Sequence, residues 1–139
     1  MIDIAISITA VAFEGKFDKG GTPYILHCLH VAHKVRELGD DATIVAVLHD
    51  LVEDTHWTLD MLREKGFSER VITLVDALTH RKSESYDDYL ARVAVHTIAR
   101  AIKRADLHHN SDITRMKGLR KKDFDRLAKY HRAYAYLSE

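Results

Sequence analysis

Four ionisable side chains fall within six positions of one apolar run. They are His49, Asp50, Glu53 and Asp54 in Ala46-Val47-Leu48-His49-Asp50-Leu51-Val52-Glu53-Asp54-Thr55. A neutral imidazole beside a carboxylate suits a divalent cation, and carboxylates one turn further on suit acid/base work on a water molecule. Val45, Leu48 and Val52 recur at helical spacing, so the run is expected to form about three turns of helix ending near Thr55. On that helix His49 and Glu53 share one face, and Asp50 and Asp54 share another about 100° round. The competing expectation is that these acids simply cap a solvated helix end. Acids at a helix C-terminus oppose the macrodipole, which sets a cost on that alternative.

Three other places offer partners. His27 lies between Ile25 and Leu29, so its ring is expected to point partly inward. A lone histidine there is more often a hydrogen-bonded core residue than a ligand. Asp106 lies between Ala105 and Leu107 on an apolar face, where a carboxylate is costly without a cation or a positive partner. Lys103, Asp106 and Asn110 fall on one helical stripe, an arrangement that suits a ligand flanked by phosphate contacts. Six further histidines, His30, His33, His56, His80, His108 and His109, are candidates too and are expected mostly at the surface.

The elements that must position these residues read as helices throughout. A stripe of Ile4, Ile8, Val11 and Ala12 predicts a helix over 3–14. A glycine- and lysine-containing loop over 14–21 follows. Thr22 as N-cap and Pro23 at the first helical position open a helix carrying Ile25, Leu29, Ala32, Val35 and Leu38, which Gly39 ends. Asp40 or Asp41 caps the helix of the ionisable run. Thr58 caps a short helix closed by Gly66, and Ser68-Glu69-Arg70 starts one with Val71, Ile72, Leu74, Val75 and Leu78 inward. Two more run from Tyr86 to His96 and from Ile98 to about Asn110. After the basic joint 117–122, Asp123 caps a last helix with Phe124, Leu127, Ala128, Tyr134 and Leu137. No stretch alternates with period two for long enough to argue a strand. The expected fold is all-α, a single compact helical bundle of seven to nine helices forming one domain over residues 1–139.

Composition narrows the function classes. The chain has 139 residues with formal net charge zero, 46% hydrophobic and 30% charged. No global field recruits nucleic acid or a membrane, so an anionic ligand must be held by local cations or by metal. The basic joint at 117–122 is expected to be a solvated connection, not a nucleic-acid site. One cysteine, Cys28, excludes an internal disulfide and fits a cytoplasmic location. No apolar run approaches membrane-spanning length, and an acid stands where a signal peptide needs a base.

The order His27, His49-Asp50, Asp106 resembles that of the HD-domain metal-dependent phosphohydrolases. The longer stretches Gly20-Gly21-Thr22-Pro23-Tyr24-Ile25-Leu26-His27, Leu48 to Thr55, Leu74-Val75-Asp76-Ala77-Leu78-Thr79 and Lys103-Arg104-Ala105-Asp106 with Asn110 resemble the hydrolase domain of the RelA/SpoT-type alarmone enzymes, over roughly residues 3–137. The Glu-Asp-Thr after the HD pair is the specific part. The resemblance implies that His27, His49, Asp50 and Asp106 bind one Mn²⁺, another divalent metal being the alternative. It implies that Glu53 and Asp54 position and deprotonate the attacking water. It also implies removal of pyrophosphate from the 3′ position of (p)ppGpp, with a nucleotide or phosphate contact at Lys19 and a ribose contact at Asn110. The chain stops where a synthetase domain would begin, so a small stand-alone hydrolase is expected. Its partner is then a small-molecule nucleotide, and oligomeric state is left open.

The departures concern the base. Relatives carry arginine where Asp18 stands, and a carboxylate cannot make the arginine's cation–π contact with guanine. Histidine is frequent in relatives where Phe13 stands, and proline where Cys28 follows His27. The segment Leu107 to Asp112 also differs from the usual Arg-Leu-x-Asn form. Adenine alarmones or another nucleotide pyrophosphate could then replace guanine alarmones as substrate. An HD nucleotidase or dinuclear phosphodiesterase using His80 or His109 is a competing expectation, and so is a non-catalytic nucleotide sensor.

Overall fold

The computed structural model describes residues 1–139 and is all-α. Nine helices follow in order: α1 (Ile2–Ala12), α2 (Tyr24–Lys34), α3 (Asp40–Leu48), α4 (Leu51–Asp54), α5 (Leu59–Glu64), α6 (Glu69–Leu78), α7 (Tyr86–Ala94), α8 (Thr97–Asn110) and α9 (Lys121–Leu137). Single turns of 3-10 helix stand at Arg36–Leu38 and Ile113–Arg115. The only extended pairing is one isolated bridge between Phe17 and Pro23. No helix is long and apolar enough to cross a membrane.

Helix α3 forms the centre. Every residue from Ala42 to Leu48 is buried, because α1, α2, α6 and α8 all pack round it. A helix apolar on all sides has nowhere else to go. Burying a side chain such as Leu48 is worth about 1.5–3 kcal/mol, and one cluster of 29 buried apolar residues holds the helices together. Thr58 and Ser68 cap α5 and α6 as expected, accepting from the N–H groups of Met61 and Val71.

Several boundaries differ from expectation. The helix expected through 45–55 is two, with His49 and Asp50 at the joint. The Ala46 carbonyl lies 2.6 Å from His49 Nδ1, which draws it out of the regular ladder. The backbone tightens there, and Asp50 sits at φ −102°, ψ −2°, in the bridge region common at functional sites. Pro23, not Thr22, is the N-cap of α2, and its ψ of 130° keeps it outside the helix. Gly39, at φ 106°, caps α3 in place of either aspartate, and Asp40 and Asp41 occupy the first turn. There they favour the helix N-terminus by charge. Asp123 is the third residue of α9, and its carboxylate accepts the Arg120 N–H at 2.8 Å. The inward face of α9 is therefore Asp123, Ala133 and Leu137, leaving Phe124 56% exposed. Leu38 is likewise exposed, since α2 ends at Lys34.

Candidate metal centre

Three elements bring four side chains to one point. His27 comes from the buried face of α2, His49 and Asp50 from the α3–α4 joint, and Asp106 from the inner face of α8. One donor atom from each lies within 4.8 Å of all the others. His27 Nε2 is 2.9 Å from Asp106 Oδ1 and 3.9 Å from Asp50 Oδ2. His49 Nε2 is 3.0 Å from Asp50 Oδ2 and 3.4 Å from Asp106 Oδ1. Despite these distances His49 Nε2 is buried with no aligned hydrogen-bond partner. Its other nitrogen is engaged by the Ala46 carbonyl, so Nδ1 carries a proton and Nε2 faces two carboxylates.

The electrostatics point the same way. Burial works against charge on His49, but the Asp50 and Asp106 carboxylates outweigh it and hold the imidazole well above its usual range. Burial also opposes charge on Asp106, yet the Lys103 ammonium and the two imidazoles keep its carboxyl well below the usual range. The point between these groups thus favours positive charge. Two imidazoles and two carboxylates fit a divalent cation there, with positions left for oxygen ligands.

The surrounding side chains hold the cluster. The Tyr24 hydroxyl donates to Asp50 Oδ2. Lys103 Nζ donates to Asp106 Oδ2 at 2.8 Å, and Asn110 Nδ2 donates to Asp106 Oδ1 at 2.9 Å. Glu53 and Asp54 gather with Asp50 in a second group of carboxylates. The His80 N–H fixes Glu53 at 2.7 Å, and Lys16 Nζ reaches the Asp54 carbonyl at 2.9 Å. Burial, with Asp50 and Glu53 adding to it, pushes the Asp54 carboxyl up to about 6. The His80 ring itself bonds the Glu84 carbonyl and is not part of either carboxylate group.

Beside the cluster lies a cleft of about 280 Å³ whose walls include Tyr24, Lys19, Asn110, Arg115, Arg126 and Tyr130. Lys19 and Asn110 are thus in it, whereas Lys103 is turned to Asp106 and packs over the Tyr89 ring. Asp18 also lines the cleft but is fully engaged. Its Oδ1 accepts the Gly20 and Thr22 N–H groups, each at 2.9 Å, and its Oδ2 accepts Arg115 at 2.9 Å. The loop comes so close to the 3-10 turn that a Cβ on Gly20 would stand 1.9 Å from the Arg115 carbonyl oxygen. Arg115 Nη1 also donates to the His109 carbonyl at 2.7 Å.

Tyr24, Arg115, Arg126 and Tyr130 carry no assignment from the sequence. Tyr24 precedes His27 by one helical turn, a spacing that could have placed it. Arg115 gave no such signal, because a 3-10 turn carries it to a loop nearly a hundred residues earlier.

Comparison with known proteins adds to this geometry. A chain from Aquifex aeolicus named guanosine-3′,5′-bis(diphosphate) 3′-pyrophosphohydrolase is 45% identical over 78 residues, 51% of this chain and 11% of its own length. A probable GTP pyrophosphokinase from Mycobacterium leprae is 43% identical over 83 residues, 53% of this chain and 10% of its own. This chain therefore spans about a tenth of these curated relatives. Among solved structures, one described as a metazoan ortholog of SpoT that hydrolyzes ppGpp superimposes with a TM-score of 0.79 at 23% identity, covering 98% of this chain and 84% of that one. The superposition shows a shared fold. The profile described as HD domain matches residues 5–121, and the chain therefore belongs to the HD domain family, which implies a divalent metal ion.

Proposed function

We propose that this chain is a phosphohydrolase that removes pyrophosphate from the 3′ position of guanosine 3′,5′-bis(diphosphate) or a closely related nucleotide. The observation that carries the reading is the buried, unpartnered His49 Nε2 facing two carboxylates beside a cleft that holds Lys19, Arg115 and Arg126. The names of the Aquifex relative and of the metazoan structure support the substrate class.

His27, His49, Asp50 and Asp106 would hold the cation; the mixed imidazole and carboxylate donors suit a divalent ion, and Mn²⁺ is the one proposed because the resemblance to the RelA/SpoT-type hydrolases implies it. When bound, the ion supplies Lewis acidity, acidifying water and offsetting charge on a phosphoryl group. Asp54, with its carboxyl pushed up to about 6, is suited to take a proton from the attacking water near neutral pH. Glu53, fixed by the His80 N–H, is suited to orient that water. The cleft cations Lys19, Arg115 and Arg126 offer contacts for phosphate oxygens. Asn110 lines the cleft while bonded to Asp106, which suits a contact to the ribose. Lys103 then acts through Asp106, holding that carboxylate, and its charge is spent there.

The test is a hydrolysis panel of ppGpp, pppGpp and ppApp with Mn²⁺. Release of pyrophosphate with GDP, GTP or ADP as the second product is expected, and Asp50→Ala abolishes it. No release from any 3′-pyrophosphorylated nucleotide rejects the reading. Because Arg115 neutralises Asp18, the cleft presents no free acid at that wall, and the panel reads base preference directly.

A further inference from the structure

His109 lies outside the four-residue cluster, yet its ring meets that of His27. The two Nδ1 atoms are 2.8 Å apart and the ring planes agree within 4°. Nitrogens at that separation share one proton, so one donates and the other accepts. The other nitrogen of His27 decides which. His27 Nε2 is the atom inside the cluster, 2.9 Å from Asp106 Oδ1. An imidazole nitrogen that ligates a cation must be bare, which leaves the single ring proton on Nδ1. His109 Nδ1 must then accept.

We infer that His109 is a positioning residue. It takes the hydrogen bond from His27 Nδ1–H and so holds His27 in the tautomer that turns a bare Nε2 to the cation. The inference rests on the reading of His27 as a ligand. The opposite proton placement has His109 donating and His27 Nε2–H donating to Asp106, and it blocks the ligand nitrogen.

The structure fixes the His109 ring for this task. His30 stacks on it with centroids 3.7 Å apart and planes within 13°. Arg115 holds the backbone at the same residue by its 2.7 Å bond to the His109 carbonyl. His109 lies three residues after Asp106, so the two stand on one face of α8. One turn of α8 therefore supplies a cluster carboxylate, the amide that steadies it, and the acceptor for the imidazole opposite. A carbonyl in the place of His109 could only accept. An imidazole has two states there, and cation binding selects one of them.

Two measurements test this. In histidine ¹⁵N-labelled protein titrated with Zn²⁺, the His27 Nδ1 resonance is expected at a protonated-nitrogen shift and His109 Nδ1 at a bare-nitrogen shift. The reverse assignment in the loaded protein overturns the inference. In calorimetric titration with Mn²⁺, His109→Leu is expected to weaken binding about 10–100-fold. His109→Asn, which restores a carbonyl acceptor, recovers most of the loss. If His27→Ala loses the cation while His109→Leu binds like the wild type, the role of His109 falls and the reading of His27 stands. If His27→Ala keeps the cation, both fall.

Discussion

The cluster of His27, His49, Asp50 and Asp106 and the neighbouring cleft differ in how they are built. The cluster draws its side chains from helices that form the core, and His27, His49 and Asp106 are each no more than 3% exposed. The cleft draws its cations from a loop (Lys19), a 3-10 turn (Arg115) and the first turns of α9 (Arg126). Burial makes every unpaired charge in the cluster expensive, so its groups are locked to one another. At the cleft the Asp18–Arg115 pair, with side chains 13% and 20% exposed, ties a loop to a 3-10 turn and not one core helix to another. Structure and chemistry are therefore inseparable in the first region and separable in the second.

The largest break in that contrast comes from Asp106→Ala. It leaves the half-buried Lys103 ammonium with no carboxylate, and a loss of about 3 kcal/mol in urea unfolding is expected. Unchanged stability would show that the cluster is not an interlocked part of the core. Removing the metal comes next. If the protein is studied at a cation concentration 100 times Kd, a chelator is expected to lower stability by about 2.7 kcal/mol. A melting temperature indifferent to chelator would count against a cation on the buried cluster.

A smaller effect is expected at the cleft. Arg115→Ala should raise KM for the nucleotide about tenfold, the equivalent of about 1.4 kcal/mol. Unfolding stability should fall by less than for Asp106→Ala, because the Asp18 carboxylate keeps its bonds from the Gly20 and Thr22 N–H groups when Arg115 is removed. A collapse of stability instead would erase the distinction between the regions.

The smallest effect lies outside both, where Arg92 grips Glu84 and the carbonyls of Asp76 and Thr79, joining α6 to α7. Hydrogen bonding from Arg92 holds the Glu84 carboxyl down to about 2. A depressed carboxyl stabilises the fold at pH above its unfolded value, about 4.3, and that contribution disappears as pH falls through the folded value. Wild type should therefore exceed Glu84→Gln in thermal stability near pH 7, and the gap should close towards pH 2. A gap that widens in acid would invert the sign and refute the pairing.

Sequence patterns were most informative where burial and periodicity coincide. The stripe Val71, Ile72, Leu74, Val75, Leu78 located α6 and its inner face, and Ser68 and Thr58 announced their helices by local chemistry alone. They were least informative where a carbonyl is claimed from outside the ladder. Helical spacing through Val45, Leu48 and Val52 concealed the break at His49, since periodicity does not record that Nδ1 takes the Ala46 carbonyl. The start of α9 is hidden for a related reason, since Asp123, expected as its cap, is its third residue. Asp123 is buried by its bonds to the Arg120 N–H and to Arg126, which turns Phe124 outward.

By itself the amino-acid sequence determined the all-helical class, because helical periodicity is a local property of a chain, and it offered His49, Asp50 and Asp106 as costly polar residues in apolar runs; His27 joined them only through the resemblance of the order His27, His49-Asp50, Asp106 to the HD-domain phosphohydrolases. Only the tertiary structure decided that four donor atoms converge within 4.8 Å, that Arg115 closes on Asp18, and that His109 meets His27. Those are relations between segments dozens of residues apart, set by how the helices pack round α3, and no spacing along the chain encodes them.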